Sequence, residues 1–135
     1  VTVIDTSVWI DWFRDSTTAQ TAWLERSVPR EILLLDIVLF EVLQAARDER
    51  HAANVERRLG RFTTAQATDV ALAIAAARHS RTLRALGITI RKSVDLLIGT
   101  FCIAHGHELV HADRDFEPMA KHLGLRVAVG PDSVH

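Results

Sequence analysis

The chain holds a single cysteine, Cys102, so it cannot close an intramolecular disulfide. No apolar run approaches the ~20 residues that a bilayer-spanning helix needs. The first residues carry an acid at Asp5 and no basic stretch, so they do not read as a secretory signal. There is no phosphate-binding loop ending in Lys-Ser/Thr, no Gly-x-Ser-x-Gly elbow and no credible Cys–His pair. The chain therefore offers none of these familiar motifs for nucleotide binding or covalent catalysis. No internal repeat, low-complexity segment or linker divides the chain. Together they predict one cytoplasmic domain covering residues 1–135, with no membrane contact.

What is present fits a domain with a buried core. Hydrophobic residues make up 48% of the chain and charged residues 24%, the balance of an ordinary globular protein. The net charge of −1 hides an uneven distribution. From Arg47 to Lys92, nine arginines and one lysine stand against Asp48, Glu49, Glu56 and Asp69, which gives +6 and leaves about −7 for the rest. A basic middle between acidic flanks suits a polyanion bound through metal ions. A charge run by itself is more often a solvated helical face.

Val1 to Ile4 is rich in β-branched residues and predicts a short buried strand. Ser7 is placed to cap a helix over Val8 to Phe13. The Asp15-Ser16-Thr17 cluster leads into a helix from about Thr18 to Ser27, and Pro29 ends it. Glu31 to Leu35 predicts a second strand. Asp36 then reads as the cap of a helix from Ile37 to about Arg50, with Val38, Leu39, Val42, Leu43 and Ala46 at helical spacing. A helix from His51 to Leu59 closes at Gly60. Thr68 is placed to cap an alanine-rich helix from Asp69 to Leu86, and Gly87 stops it. Ile88 to Ile90 reads as a short strand or extended link. Ser93 caps a helix to about Ala104. Glu108 to His111 is a strand, Asp113 to Leu123 a helix, and Arg126 to Val129 an edge strand. The tail, Gly130-Pro131-Asp132-Ser133, looks loose. Strands alternating with helices predict an α/β fold: a mainly parallel central sheet of four to five strands, flanked by helices on both sides.

In such a sheet, ligands bind outside the carboxyl ends of the strands. Acids fall at several of these ends. Asp5 follows the first strand. Glu41 lies in the helix after the second, inside Leu-Phe-Glu-Val-Leu, where its neighbours read as buried. Asp95 opens the helix after Ile88 to Ile90, and Asp113 and Asp115 follow the Glu108 to His111 strand. Taken singly, Asp95 and Asp115 have a plain explanation, because acids in a first helical turn complement the helix dipole. Glu41 and Asp5 are harder to dismiss, since a buried charge needs a partner or a metal. Four or five gathered carboxylates raise one another's proton affinity. A hard divalent cation with oxygen ligands offsets that repulsion. Such a site can activate a water and orient a phosphodiester.

The ordered segments VIDTSVWID, LFEVLQ, GITIRKSVDLLIGTFCIAHG and ELVHADRDFEPMA resemble the PIN-domain ribonucleases. More closely, they resemble the VapC-type toxins of bacterial toxin–antitoxin pairs. The resemblance covers nearly the whole chain. It implies a PIN-like fold and a metal-dependent endoribonuclease that hydrolyses RNA through Mg2+, with Mn2+ as a substitute. It assigns the catalytic and metal-binding acids to Asp5, Glu41, Asp95 and Asp113, with Asp115 as an accessory ligand. One of Thr6 and Ser7 is expected to orient Asp5 or a metal-bound water. The resemblance also implies a homodimer and inhibition by a cognate VapB-type antitoxin, which directs a basic side chain at the acidic site. Two positions depart from the family pattern. His111 replaces a small hydroxyl residue two before Asp113, which leaves the hydrogen bonding around that acid open. Asp36 replaces the usual hydroxyl cap of the glutamate helix.

Two other readings compete. One is a stand-alone PIN nuclease for RNA processing. The other is a non-catalytic, Mg2+-binding receiver-like module, which would want a late lysine, and only Lys121 is available. Some residues invite over-reading. Trp9, Trp12 and Trp23 suggest an aromatic surface, but the spacing of the first two puts them on one helix face and favours packing. His105, His107 and His111 lack a zinc spacing. His79 falls in the apolar stripe of Leu72, Ala76, Leu83 and Leu86. Cys102 sits among Leu97, Ile98 and Phe101 and reads as a small buried residue. The arginines between Arg47 and Arg91 are candidates for phosphate contact, and nothing local says which of them face the acids.

Overall fold

A computed structural model describes residues 1–131. Twelve regular elements follow one another. They are β1 (Thr2–Ile4), α1 (Thr6–Phe13), α2 (Ala19–Arg26), β2 (Ile32–Leu35), α3 (Asp36–Gln44), α4 (Glu49–Leu59), β3 (Thr63–Ala65), α5 (Val70–Ala85), α6 (Ser93–His105), β4 (Glu108–Val110), α7 (Glu117–Leu123) and β5 (Arg126–Val129). Short 3-10 turns at Pro29–Glu31 and Arg114–Phe116 precede β2 and α7.

All five strands pair in parallel, in the order β3-β2-β1-β4-β5. Val3, Ile4, Leu35, Leu109 and Val110 have no exposed surface. Parallel strands covered on both faces need continuous apolar runs of this kind. The principal helix contacts form two groups: α1 with α2 and α3, and α3 with α4; then α5 with α6 and α7. Gly99 of α6 lets Met119 of α7 approach closely, since a Cβ there would stand 2.6 Å from the Met119 sulfur.

Several local expectations need correction. Of the two readings of Ile88 to Ile90, a short strand or an extended link, the link holds and the strand does not. The Ile88 amide instead donates to the Leu83 carbonyl at 2.9 Å, and Gly87 with φ of 80° closes α5. The fifth strand is β3, where Leu33, Leu34 and Leu35 align with Thr63, Thr64 and Ala65. Its short, largely polar sequence lacks the apolar run that marks an interior strand, because it lies at the sheet edge. Asp36 is the first residue of α3, not its cap. Its carboxylate accepts from the Ile37 amide at 2.8 Å and from the Ala67 amide at 3.0 Å, so it ties α3 to the chain after β3. The helix predicted to run to Arg50 stops at Gln44, and α4 starts with Asp48 as its cap. The caps of α1, α2 and α5 are Asp5, Thr18 and Asp69, each one or two residues from its expected place or cluster. Lys92, rather than Ser93, precedes α6 and caps it with no side-chain hydrogen bond. Of the loose tail, Asp132 and Ser133 lie outside the described residues.

β1 is central. The chain first builds outward on one side to β2 and β3, then crosses to β4 and β5 on the other. The crevice at the carboxyl ends of β1 and β4 is therefore the topological switch point, where open α/β sheets bind ligands.

Candidate active site

Asp5 leaves β1 with its amide bonded to the Val110 carbonyl at 2.9 Å, which fixes it beside the end of β4. It caps α1 and is only 3% exposed. The Ser7 hydroxyl donates to Asp5 Oδ2 at 2.7 Å, and the Ser7 amide donates to the same oxygen at 3.3 Å. Burial pushes the Asp5 carboxyl above its usual range, the Ser7 bonds pull it back, and the Glu41 charge adds to the rise. Thr6 turns the other way, and its hydroxyl donates to Glu41 Oε1 at 2.6 Å. The two adjacent hydroxyls thus hold two different carboxylates. Glu41 is half-buried, and its chain neighbours are not uniformly buried: Val42 is buried, but Phe40 is 62% exposed.

Asp95 sits in the first turn of α6, where the helix dipole favours an acid. It is also 5% exposed, and its Oδ2 has no hydrogen-bond partner among the described residues. Dipole complementation does not require burial, so helix capping alone does not account for Asp95. Its carboxyl is pushed up to about 7, first by burial and then by the charges of Asp5 and Asp113. Asp113 uses one oxygen to accept from the Asp115 amide at 2.9 Å, and its other oxygen lies 3.6 Å from Lys92 Nζ. Asp95, Asp113 and Asp115 can each offer a carboxylate oxygen such that all three lie within 4.8 Å of one another.

One cleft of about 450 Å³ is lined by Asp5, Thr6, Ser7, Glu41, Lys92, Asp95 and Asp113, among others. The five predicted acids therefore come together, with Asp115 at the margin beside Asp95 and Asp113. Lys92 was not anticipated. Its one local signal was its place three residues before Asp95, at the start of the same helix. The charges of Asp95 and Asp113 raise its proton affinity.

His111 answers the question its position raised. It is 1% exposed, its Nδ1 accepts the Asp113 amide at 3.3 Å, and its carbonyl accepts from Gln20 Nε2 at 3.0 Å. An imidazole nitrogen thus supports the backbone of the fourth acid. Burial pulls this histidine down to about 4, so it is neutral at physiological pH. Among the described residues it joins no metal-sized cluster with His105 or His107. Cys102 is buried, and its thiol is pushed up to about 12, which leaves it inert. Trp9 is fully buried against Phe62 and Trp12, as packing predicts. His79 is half-buried on α5. Lys121 is exposed on α7 and is not among the residues lining the acidic cleft, so it does not supply the lysine a receiver-like site wants.

The PIN domain family model matches residues 2–122. Two curated relatives are the VapC ribonuclease Mb1587 of Mycobacterium bovis and the ribonuclease VapC11 of Mycobacterium tuberculosis. Each is 30% identical over 129 residues, which covers 93% of this chain and 96% of the relative. Among solved structures, the fold is similar to VapBC2 of Rickettsia felis bound to a promoter DNA fragment, with a TM-score of 0.73 at 18% identity over 95% of this chain and 97% of that one. It is also similar to VapBC-1 of nontypeable Haemophilus influenzae, with a TM-score of 0.73 at 15% identity over 95% and 96%. Among the described residues, no helix is long and apolar enough to cross a membrane.

Proposed function

This chain belongs to the PIN-domain family, and from that premise we propose that it is a metal-dependent endoribonuclease toxin, silenced by a VapB-type antitoxin. The observation that carries the proposal is the cleft itself. Four separate segments deliver Asp5, Glu41, Asp95 and Asp113 to one crevice, and the buried Asp95 Oδ2 has no partner among the described residues. Carboxylate oxygens without enough protein donors suit a hard divalent ion. Asp5, Glu41, Asp95 and Asp113, with Asp115 beside them, would hold Mg2+ or Mn2+. A divalent ion there supplies an activated water and offsets charge on the phosphodiester.

The chain's own residues do the positioning. Ser7 fixes the oxygen of Asp5, and Thr6 fixes that of Glu41, so neither carboxylate has to be ordered when substrate arrives. The Asp115 amide holds one oxygen of Asp113 and leaves the other turned toward Lys92. The Lys92 ammonium lines the same cleft and is 66% exposed, so it is free to reach a phosphate oxygen. The uncompensated negative charge also suits an antitoxin that inserts a basic side chain. A single domain over residues 1–135, a homodimer and a cytoplasmic location complete the reading.

The test uses protein freed of antitoxin. It should cut RNA with Mg2+ or Mn2+, stop with a chelator, and lose cleavage in Asp5→Asn. An Asp5→Asn protein that still cuts at the wild-type rate places the chemistry elsewhere. Expression in growing cells should arrest growth, and a small neighbouring reading frame should relieve the arrest. Cleavage without arrest would favour a stand-alone processing nuclease.

A further inference from the structure

The middle of the chain carries nine arginines, and the structure divides eight of them among three settings. Arg58 is spent on packing, with its guanidinium 5.0 Å from the Trp12 ring centre and 4.7 Å from that of Phe13. Arg61 stacks 5.3 Å over Phe62 in the same way. Arg78, Arg81 and Arg84 belong to α5, whose principal partners are α6 and α7. Arg47, Arg50 and Arg57 are exposed and line a polar cleft of about 520 Å³ just before and along α4.

This cleft is not isolated. It shares Arg47 and His51 with a groove of about 420 Å³ whose floor includes Phe13, Val42 and Val55 and whose rim carries Arg14. That groove in turn shares Ile10 and Ala45 with the acidic cleft. The three hollows therefore adjoin one another, from the carboxylates to the arginines just before and along α4. The helix is built for this. Val55 and Leu59 bury one face, while Arg50, Asn54 and Arg57 stand at steps of four and three on another. Seven residues at a 1.5 Å rise separate Arg50 from Arg57 by roughly 10 Å along the axis. Asn54 accepts from Arg57 Nη2 at 3.3 Å, which orders that guanidinium. The one acid in the cleft, Asp48, is occupied as the α4 cap, accepting the His51 amide at 2.7 Å.

We propose that these hollows form a path that holds the single-stranded RNA flanking the scissile phosphate, with Arg47, Arg50 and Arg57 on its phosphates and the groove floor against its bases. The inference rests on the ribonuclease reading and adds the residues that hold the substrate. Charge complementarity selects the occupant: fixed cations matched to a polyanion, leading away from a site suited to a phosphodiester-bound metal. The apolar floor takes base faces without demanding a sequence.

The experiment compares Arg47→Ala/Arg50→Ala/Arg57→Ala with a charge-matched control, Arg78→Ala/Arg81→Ala/Arg84→Ala. Both are made in the wild type and in the Asp5→Asn protein, and circular dichroism checks that each folds. Cleavage of a short labelled single-stranded RNA of mixed sequence is followed with Mg2+. Binding of the same RNA to the Asp5→Asn proteins is followed against salt. The α4 triple should raise KM on the order of tenfold with kcat little changed, and should flatten the log–log salt slope by about 2, at about 0.7 per phosphate contact. The control should do neither. Equal effects of the two triples would mean a general field rather than a path, and no effect of either would also overturn the proposal. If the α4 triple leaves RNA untouched but releases the antitoxin, the surface belongs to the protein partner and the proposal fails. A wild type that binds RNA along α4 but never cuts it would instead defeat the ribonuclease reading and leave the path standing.

Discussion

Acidifying the metal-free protein should expose two opposed titrations, and Asp95→Asn separates them. Asp95 rises from an ordinary 3.8 to about 7 in the folded state. Between those values the folded state holds a proton that the unfolded chain has lost. The contribution of Asp95 to stability is therefore greatest below pH ~4 and falls as pH rises to ~7. At about 1.4 kcal/mol per pKa unit, the ceiling is about 4 kcal/mol. Water reaching the open cleft reduces this, and about 2–3 kcal/mol is the working expectation. Asp5, also raised by burial, acts in the same direction. His111 opposes them. Its drop from 6.5 to about 4 makes the unfolded chain the better proton binder, so acidification through that window costs up to about 3 kcal/mol. The wild type without metal should therefore show little net change from pH 7 to 4.5. Asp95→Asn removes one arm and should lose about 2–3 kcal/mol relative to wild type over the same range. Urea unfolding with chelator present, followed by tryptophan fluorescence, measures this, and the buried Trp9 supplies the signal. The comparison across pH cancels the constant cost of burying an amide at this position. A difference between variant and wild type that stays flat with pH, or shrinks on acidification, refutes the electrostatic account of the cleft.

Other expectations follow from single contacts. Ser7→Ala removes the 2.7 Å bond to Asp5 and should weaken Mn2+ binding by roughly 10–100-fold in calorimetry, and unchanged affinity would deny Ser7 its role. Thr6→Val should lower cleavage rate more than RNA binding, because its 2.6 Å bond orients Glu41 rather than substrate; a change in KM alone would count against this. Lys92→Ala takes a competing cation from the cleft and should tighten metal binding several-fold while slowing cleavage, so weaker metal binding would contradict the arrangement. Gly99→Ala drives a methyl into the fully buried Met119 and should destabilise by about 1–3 kcal/mol, with Met119→Ala in the same chain recovering part of the loss. Additive losses in that double variant would show that the two positions do not share a contact.

Much of this site was legible along the chain because a parallel sheet turns local signals into a shared address. Every strand points the same way, so an acid that follows an apolar strand, as Asp5 and Asp113 do, is carried to the same rim. Their order with Glu41 and Asp95 suffices to suggest a metal site from the sequence. The helices were also visible, through their apolar stripes and their capping residues, although the caps shifted by a residue or two. What the sequence left open depends on packing between distant segments. The edge strand Thr63–Ala65 exists only because β2 offers it a partner, so its own residues carry no strong signal. Thr6 and Ser7 are chemically alike neighbours. Thirty-five residues of chain separate Thr6 from Glu41, and only the docking of α1 on α3 assigns it there while Ser7 keeps Asp5. Lys92 likewise became part of the site when α6 brought it to Asp113. The arginines were counted from sequence but divided by structure. Stacking on aromatic rings claimed Arg58 and Arg61, and the contiguity of the grooves singled out Arg47, Arg50 and Arg57. Charge and periodicity are local properties that the sequence carries by itself. Which charges share a surface is a long-range property, decided when the helices settle on the sheet.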